Sequence, residues 1–211
     1  MVGHEADELL RSDVILRRAI AGELRSLAAM VMLSTAPAVD LETALALLRQ
    51  SSQTLSASRR SGRYDGLAGL SPGSTANGAI WETHGAFGAT NPLAPPVRAE
   101  EGDGKVTGTV TFGAAWEGGP GTVYGGFITA AFDGMLGRAV ISAGHLGVTK
   151  SLTVRFLRPT PLNTDLRIEA SAGPRSGREV PVEGSLWLGD VQTGAAEAIF
   201  VCVDASRYQA Q

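Results

Sequence analysis

Two hydrophobic periods divide the chain. Up to about residue 57 apolar residues recur every three to four positions, and from Val97 onward they recur every second one. Over residues 5–33, Leu9, Leu16, Ile20, Leu24, Leu27 and Val31 share a stripe, with Arg17, Arg18, Glu23 and Arg25 interleaved. That spacing predicts an amphipathic helix. Ser34-Thr35-Ala36-Pro37 ends it, since proline supplies no N–H to a helix interior. Asp40 is placed to cap a second helix reaching about residue 57, with Leu41, Leu45, Leu48 and Leu55 on its stripe. The two read as a helical hairpin over residues 1–57, a packing element or an oligomer contact.

Residues 58–78 are rich in Ser, Gly and Arg, hold no period, and read as a linker. Residues 79–96 carry Trp81, His84 and Phe87 and finish in Asn91-Pro92-Leu93-Ala94-Pro95-Pro96. Three prolines in five residues exclude a helix, leaving a short strand or an extended arm. Residues 58–90 are therefore set apart as linker and arm, and residues 91–205 as the main domain.

In that domain, segments 97–101 and 105–112 flank Gly102-Asp103-Gly104, a strong hairpin signal. Four more strand patterns cover 149–158, 165–173, 179–188 and 193–204, separated by glycine- or proline-bearing turns. Between the second and third strands lies Gly121-Thr122-Val123-Tyr124-Gly125-Gly126-Phe127, which runs into a segment with helical spacing to about Ser142. His145 follows between two glycines as a loop residue, and Cys202 sits on an apolar strand as a core residue. Short connections favour antiparallel neighbours. A helix apolar on nearly every side must be wrapped by the sheet. An α+β hot-dog architecture, a curved antiparallel sheet around one long helix, satisfies both conditions.

The start of that central helix carries the candidate chemistry. The first N–H groups of a helix have no internal partner, and the dipole there favours negative charge. Gly125 and Gly126 lack a Cβ, so an oxygen can approach their N–H groups, which makes an oxyanion site from backbone alone. Asp133 lies seven residues beyond Gly126 among Phe132, Met135 and Leu136, where a carboxylate is costly to desolvate.

Charge and composition narrow the rest. With 211 residues, 44% of them hydrophobic, the chain can bury a full core. A net charge of −3 and no basic run beyond Arg59-Arg60 argue against a nucleic-acid partner. Glu5, Asp7 and Glu8 stand where a signal peptide is basic, and no apolar run is long enough to span a membrane, so the reading is a soluble cytoplasmic protein. The single cysteine forms no internal disulfide, and no pair of residues has metal-ligand spacing.

Tyr124-Gly125-Gly126, six further residues and then Asp133 resemble the His-Gly-Gly-x(6)-Asp signature of hot-dog acyl-CoA thioesterases, closest to the phenylacetate-pathway and thioesterase-superfamily-member type. The stretch 149–159, ending Arg158-Pro159, and Asn91-Pro92-Leu93 are similar to the same branch. The resemblance covers about residues 91–204. It implies that Gly125 and Gly126 hold the thioester oxyanion and that Asp133 is the catalytic carboxylate, as nucleophile or general base. It implies further that Thr149 holds that carboxylate or the attacking water, that Tyr124 and Phe127 line the substrate site, and that Arg158 meets a coenzyme A phosphate. Thr149 also reads as an ordinary β-branched strand residue, and Arg158 as a solvated strand end. Tyr124 replaces the signature histidine and is neutral to about pH 10, so it supplies neither a cation nor a near-neutral base.

The expected activity is thus hydrolysis of an acyl-CoA or acyl-carrier-protein thioester. It needs no metal or organic cofactor beyond the coenzyme A of the substrate. The alternatives are an acyl-thioester- or lipid-binding protein without turnover, and a hydratase or dehydratase, whose site would pair a histidine with a carboxylate. Gly126 and Asp133 are ~10 Å apart along one helix, which favours a site shared across a homodimer, alone or as a dimer of dimers.

Overall fold

The structure, a computed structural model, describes residues 2–58, 82, 88–95, 97–102 and 104–203, with side chains from Asp13 onward. Residues 59–78 of the stretch read as a linker, and the candidates Trp81, His84 and Phe87, lie outside the described residues.

Helices α1 (Val2–Leu33) and α2 (Ala38–Ser56) form where the 3.6-residue period predicts them. The cap of α2 differs from expectation: Pro37 is the N-cap, with φ −65°, and Asp40 lies inside the first turn. Proline's fixed φ suits a helix entry, and an acid one turn in still meets the positive end of the dipole. Among the described residues α1 and α2 are not packed along one another, and no side chain of α2 is buried.

The domain opens with β1 (Arg98–Gly102) and β2 (Lys105–Thr111). They pair antiparallel across a turn in which Gly104 takes φ +74°. A 3-10 turn at Ala114–Trp116 leads to the glycine loop and to α3 (Gly125–Ser142). Four strands complete the sheet: β3 (Gly147–Phe156), β4 (Asp165–Ala172), β5 (Glu179–Leu188) and β6 (Val191–Cys202). The sheet order is β1-β2-β4-β5-β6-β3, with every pairing antiparallel. β3, although it follows α3 directly, therefore sits at a sheet edge.

Period-2 alternation puts one face of each strand on α3. Val106 and Val110, Leu166 and Ile168, Val180 and Val182 are each at most 1% exposed, as are Phe132, Met135 and Leu136 of α3. Full burial of an aliphatic or aromatic side chain of this kind contributes about 1.5–3 kcal/mol. Phe132 is seated by glycines: a Cβ on Gly184 would stand 3.1 Å from its ring and one on Gly194 3.3 Å. The end of α3 is closed as its Gly144 predicts. Gly144, at φ +81°, donates to Ile141 O and His145 N–H to Val140 O, the paired bonds of a Schellman cap. No helix among the described residues is long and apolar enough to cross a membrane.

Candidate active site

The sheet does not enclose α3 completely. Ile128, Ala131, Phe132, Met135, Leu136 and Ala139 are buried, whereas Gly126, Ala130, Asp133 and Gly137, spaced three to four apart, retain exposure. The helix was expected to be covered on nearly every side. One stripe of small residues carrying a single acid is instead left accessible.

The N-terminus of α3 is fixed from the loop before it. Tyr124 is the N-cap, and its N–H donates to Trp116 O at 2.9 Å. Gly118 N–H donates to Thr122 O, and Glu117 Oε1 takes Gly121 N–H at 2.6 Å. Phe127 N–H folds back to Tyr124 O at 3.0 Å. Among the described residues no backbone acceptor meets the N–H groups of Gly125 or Gly126. These are the free donors at the positive end of the helix.

Both glycines are required for a second reason. A Cβ on Gly125 would stand 3.0 Å from the Phe156 ring, and one on Gly126 2.5 Å from Cε1 of Tyr124. Two aromatic rings therefore flank the free N–H pair. Phe127 meets Tyr124 edge to face with centroids 6.0 Å apart, so Tyr124 is held between Gly126 and Phe127 while remaining exposed. Low-dielectric walls strengthen the pull of such donors on a negative oxygen. The sequence singles out Tyr124 and Phe127 but not Phe156. An aromatic residue ending a strand announces nothing until the strand is known to finish beside the helix start.

Asp133 is half-buried, and Thr149 Oγ1 donates to its Oδ1 at 2.7 Å. A break in the β3–β6 ladder aims that hydroxyl. Thr149 pairs with Phe200 and Ser151 with Ile199, which leaves Lys150 as an extra residue. The bulge reverses the alternation, so Thr149 faces α3 although it stands an odd number of positions from Leu152 and Val154. Bulges of this kind re-aim side chains beside functional sites.

The structure thus joins Asp133 to Thr149, and Gly125 and Gly126 to an aromatic collar. It does not join the two groups within one chain: seven residues of helix place Gly126 and Asp133 ~10 Å apart along the axis. Arg158 is exposed, anchored by its own N–H to Thr193 O at 3.2 Å, just past Phe156. His145 lies at the far end of α3, and Cys202 is packed against the core. A broad groove on the outer side of the sheet, lined by Lys105, Arg155, Glu169 and Glu183, contains none of the site residues.

A comparison with known families falls on this segment: residues 120–195, from the glycine loop into β6, match the family model of the Thioesterase superfamily. The matched stretch spans 76 of the chain's 211 residues and holds Gly125, Gly126, Asp133 and Thr149. A crystal structure of a thioesterase superfamily protein is similar to this protein at 28% identity, over 88% of this chain and 89% of that one, with a TM-score of 0.71. A hypothetical thioesterase from Streptococcus pneumoniae, solved with coenzyme A, is 20% identical over 51% of this chain and 88% of its own, with a TM-score of 0.49. A phenylacetic acid degradation-related protein from Ralstonia eutropha is 24% identical over 51% and 83%, with a TM-score of 0.46. The last two proteins correspond to about half of this chain, whereas the first extends into its N-terminal region. An alignment over 88% of 211 residues leaves about 25 unmatched, fewer than the 97 that precede β1.

Proposed function

We propose that this protein hydrolyses acyl thioesters carried on coenzyme A or on a carrier protein. The observation that carries the reading is a hydrogen-bonded carboxylate, Asp133 with Thr149, on the accessible stripe of a helix whose first N–H groups are free. In this mechanism the thioester carbonyl oxygen sits against the N–H groups of Gly125 and Gly126, and the negative charge that develops on attack is held there. As a general base, Asp133 takes a proton from water as the water oxygen bonds to the carbonyl carbon. As a nucleophile, it forms a mixed anhydride that water then opens. Either route breaks the C–S bond and ends in a carboxylic acid and a free thiol. Tyr124, Phe127 and Phe156 flank the acyl group next to the carbonyl, and Arg158 meets a phosphate of the carrier.

The reading requires two chains. Asp133 of one chain reaches a carbonyl held by Gly126 of the other when a two-fold axis sets two α3 helices antiparallel. Two features favour such a dimer. The α3 stripe is small and accessible, and β3 is a sheet edge whose Val148, Phe156 and the following Leu157 are exposed.

The test is release of free thiol from a panel of acyl-CoA esters under steady-state conditions. The reading expects turnover on at least one acyl class. Tight binding with no thiol release across chain lengths would assign the protein to acyl-thioester binding instead. Tyr124→His is expected to keep or raise activity, since it restores the histidine of the signature. A complete loss of turnover with the fold intact would make Tyr124 a specific adaptation. Thr149→Ala is expected to lower kcat about tenfold with little change in KM, on the scale of a lost hydrogen bond to a charged group. A fall in kcat that disappears when rates are expressed per folded chain, measured by circular dichroism, would make Thr149 merely structural.

A further inference from the structure

The weakest part of the proposed site is the part that must hold its shape best. Gly125 and Gly126 supply the free N–H groups in the first turn of α3. Glycine is a poor helix former, because it loses the most backbone freedom on ordering. Tyr124 is the N-cap, and among the described residues no side chain caps the helix. The buried part of α3 begins only at Ile128. Oxyanion donors act by being in place before the charge develops, and a misplacement of ~1 Å can cost about 10²-fold in rate. What fixes this turn therefore lies outside it.

The support can be traced backwards along the chain. Tyr124 N–H is held by Trp116 O, and a Cβ on Gly118 would stand 2.8 Å from Cα of Tyr124, so the loop closes tightly on the helix start. The base of the loop is the 3-10 turn Ala114–Trp116, three residues long and without a side-chain cap. Turns of this kind have poor hydrogen-bond geometry and hold little by themselves. Trp116 is buried and meets Phe112 edge to face, with centroids 6.2 Å apart. α1 lies against the same turn.

α1 is seated there by one face. Val14, Arg18, Ala21, Arg25 and Ala29 fall within an arc of about 80°. Ala21 is 2% exposed, and Val14, Arg25 and Ala29 are half-buried. Arg18 Nε donates to Glu82 Oε2 at 3.0 Å, and Arg25 Nη1 donates to Asn91 O at 3.0 Å. Arg18 is the more exposed of the two, and an exposed ion pair contributes little. The helix thus gives the short turn a long, straight support, pinned at Arg25 and packed closely at Ala21. We propose that α1 is a positioning element for the N-terminus of α3. It steadies the turn whose Trp116 carbonyl fixes Tyr124, and through Tyr124 the N–H pair of Gly125 and Gly126. Arg25 and Ala21 are positioning residues, since they act through the loop. The consequence for rate rests on the thioesterase reading; the support itself does not.

The experiment compares the full chain with Arg25→Ala, Arg25→Lys and Ala21→Gln, the last keeping helix propensity while overfilling a buried position. Glu23→Ala, exposed and about 160° from the seated face, is the control. Hydrogen exchange of the Trp116, Gly118 and Tyr124 amides is read by nuclear magnetic resonance as a ratio to that of the β4 and β5 amides. A loss of global stability alone speeds the strand amides and lowers this ratio, so only local loosening raises it. The expected ratio is about tenfold higher in Arg25→Ala and Ala21→Gln, the scale of one lost hydrogen bond to a charged group. It should stay near wild type in Glu23→Ala and in Arg25→Lys, which keeps a charged donor for the Asn91 carbonyl. In the two loosened variants kcat for thiol release should fall about tenfold with KM changed less than about twofold. A ratio that does not rise in Ala21→Gln overturns the proposal. A rise in Arg25→Ala alone would assign the support to the segment at Asn91 and overturn the role of the helix. A raised ratio with wild-type kcat would overturn the link to the oxyanion site. If the unmodified chain releases no thiol from any ester, the thioesterase reading fails, while the exchange ratio still decides whether α1 supports the loop.

Discussion

Asp133→Asn is expected to lower kcat for thioester hydrolysis by at least ~10²-fold, the scale of lost general-base help. The substitution keeps the size of the side chain and an oxygen that can accept the Thr149 hydroxyl, now 2.7 Å away. Asp133 is half-buried on the accessible stripe of α3, with its neighbours Phe132, Met135 and Leu136 holding the core. The fold should therefore survive, and a denaturant midpoint close to wild type would confirm it. Loss of the nucleophile would give a fall at least as large, so the expectation holds for either role of the carboxylate. Activity within a few-fold of wild type would remove Asp133 from the reaction.

Gly126→Val is expected to cost ~10²–10³-fold in kcat, the range for losing one oxyanion donor. The reason is steric. Even the first carbon of a side chain at position 126 would stand 2.5 Å from Cε1 and 3.0 Å from Cδ1 of Tyr124. The ring is the exposed end of a side chain, 58% accessible, and can swing aside. The domain then folds, but the displaced ring and the two valine methyls stand where the carbonyl oxygen must approach the N–H pair. The measurement is kcat and KM with far-ultraviolet circular dichroism as the folding control. A folded variant with wild-type kcat would show that the α3 N-terminus does not touch the reacting oxygen.

Most of the domain was legible because its strands alternate cleanly. The pattern at 165–173, for instance, becomes Asp165–Ala172, with Leu166 and Ile168 fully buried as alternation requires. Strand order was not legible. Nothing in residues 149–158 says that this strand crosses to the far edge, beyond β6, rather than pairing with its neighbours in sequence. The bond from Thr149 to Asp133 was foreseen through the resemblance, but the bulge at Lys150 that makes it possible was not. A local pattern carries no information about a one-residue slip in a ladder. Phe156 was missed because its contact with Gly125 joins residues 31 apart in the chain. α1 shows the opposite limit. Its leucine stripe was read as a packing face or an oligomer contact, and the helix docks through Arg18, Ala21 and Arg25. Periodicity tells which face needs cover, not which neighbour supplies it.

One measurement combines both variants and tests the central claim, that Asp133 of one chain and the α3 N-terminus of another make a single hydrolytic site. Inactive Asp133→Asn and inactive Gly126→Val chains are mixed in equal amounts and allowed to exchange subunits, with exchange verified by labelled chains. Each hybrid dimer contains one site with both substitutions and one with neither. Random mixing therefore predicts recovery of thiol-releasing activity to about a quarter of wild type. No recovery despite demonstrated exchange would place both groups in one chain and contradict the account.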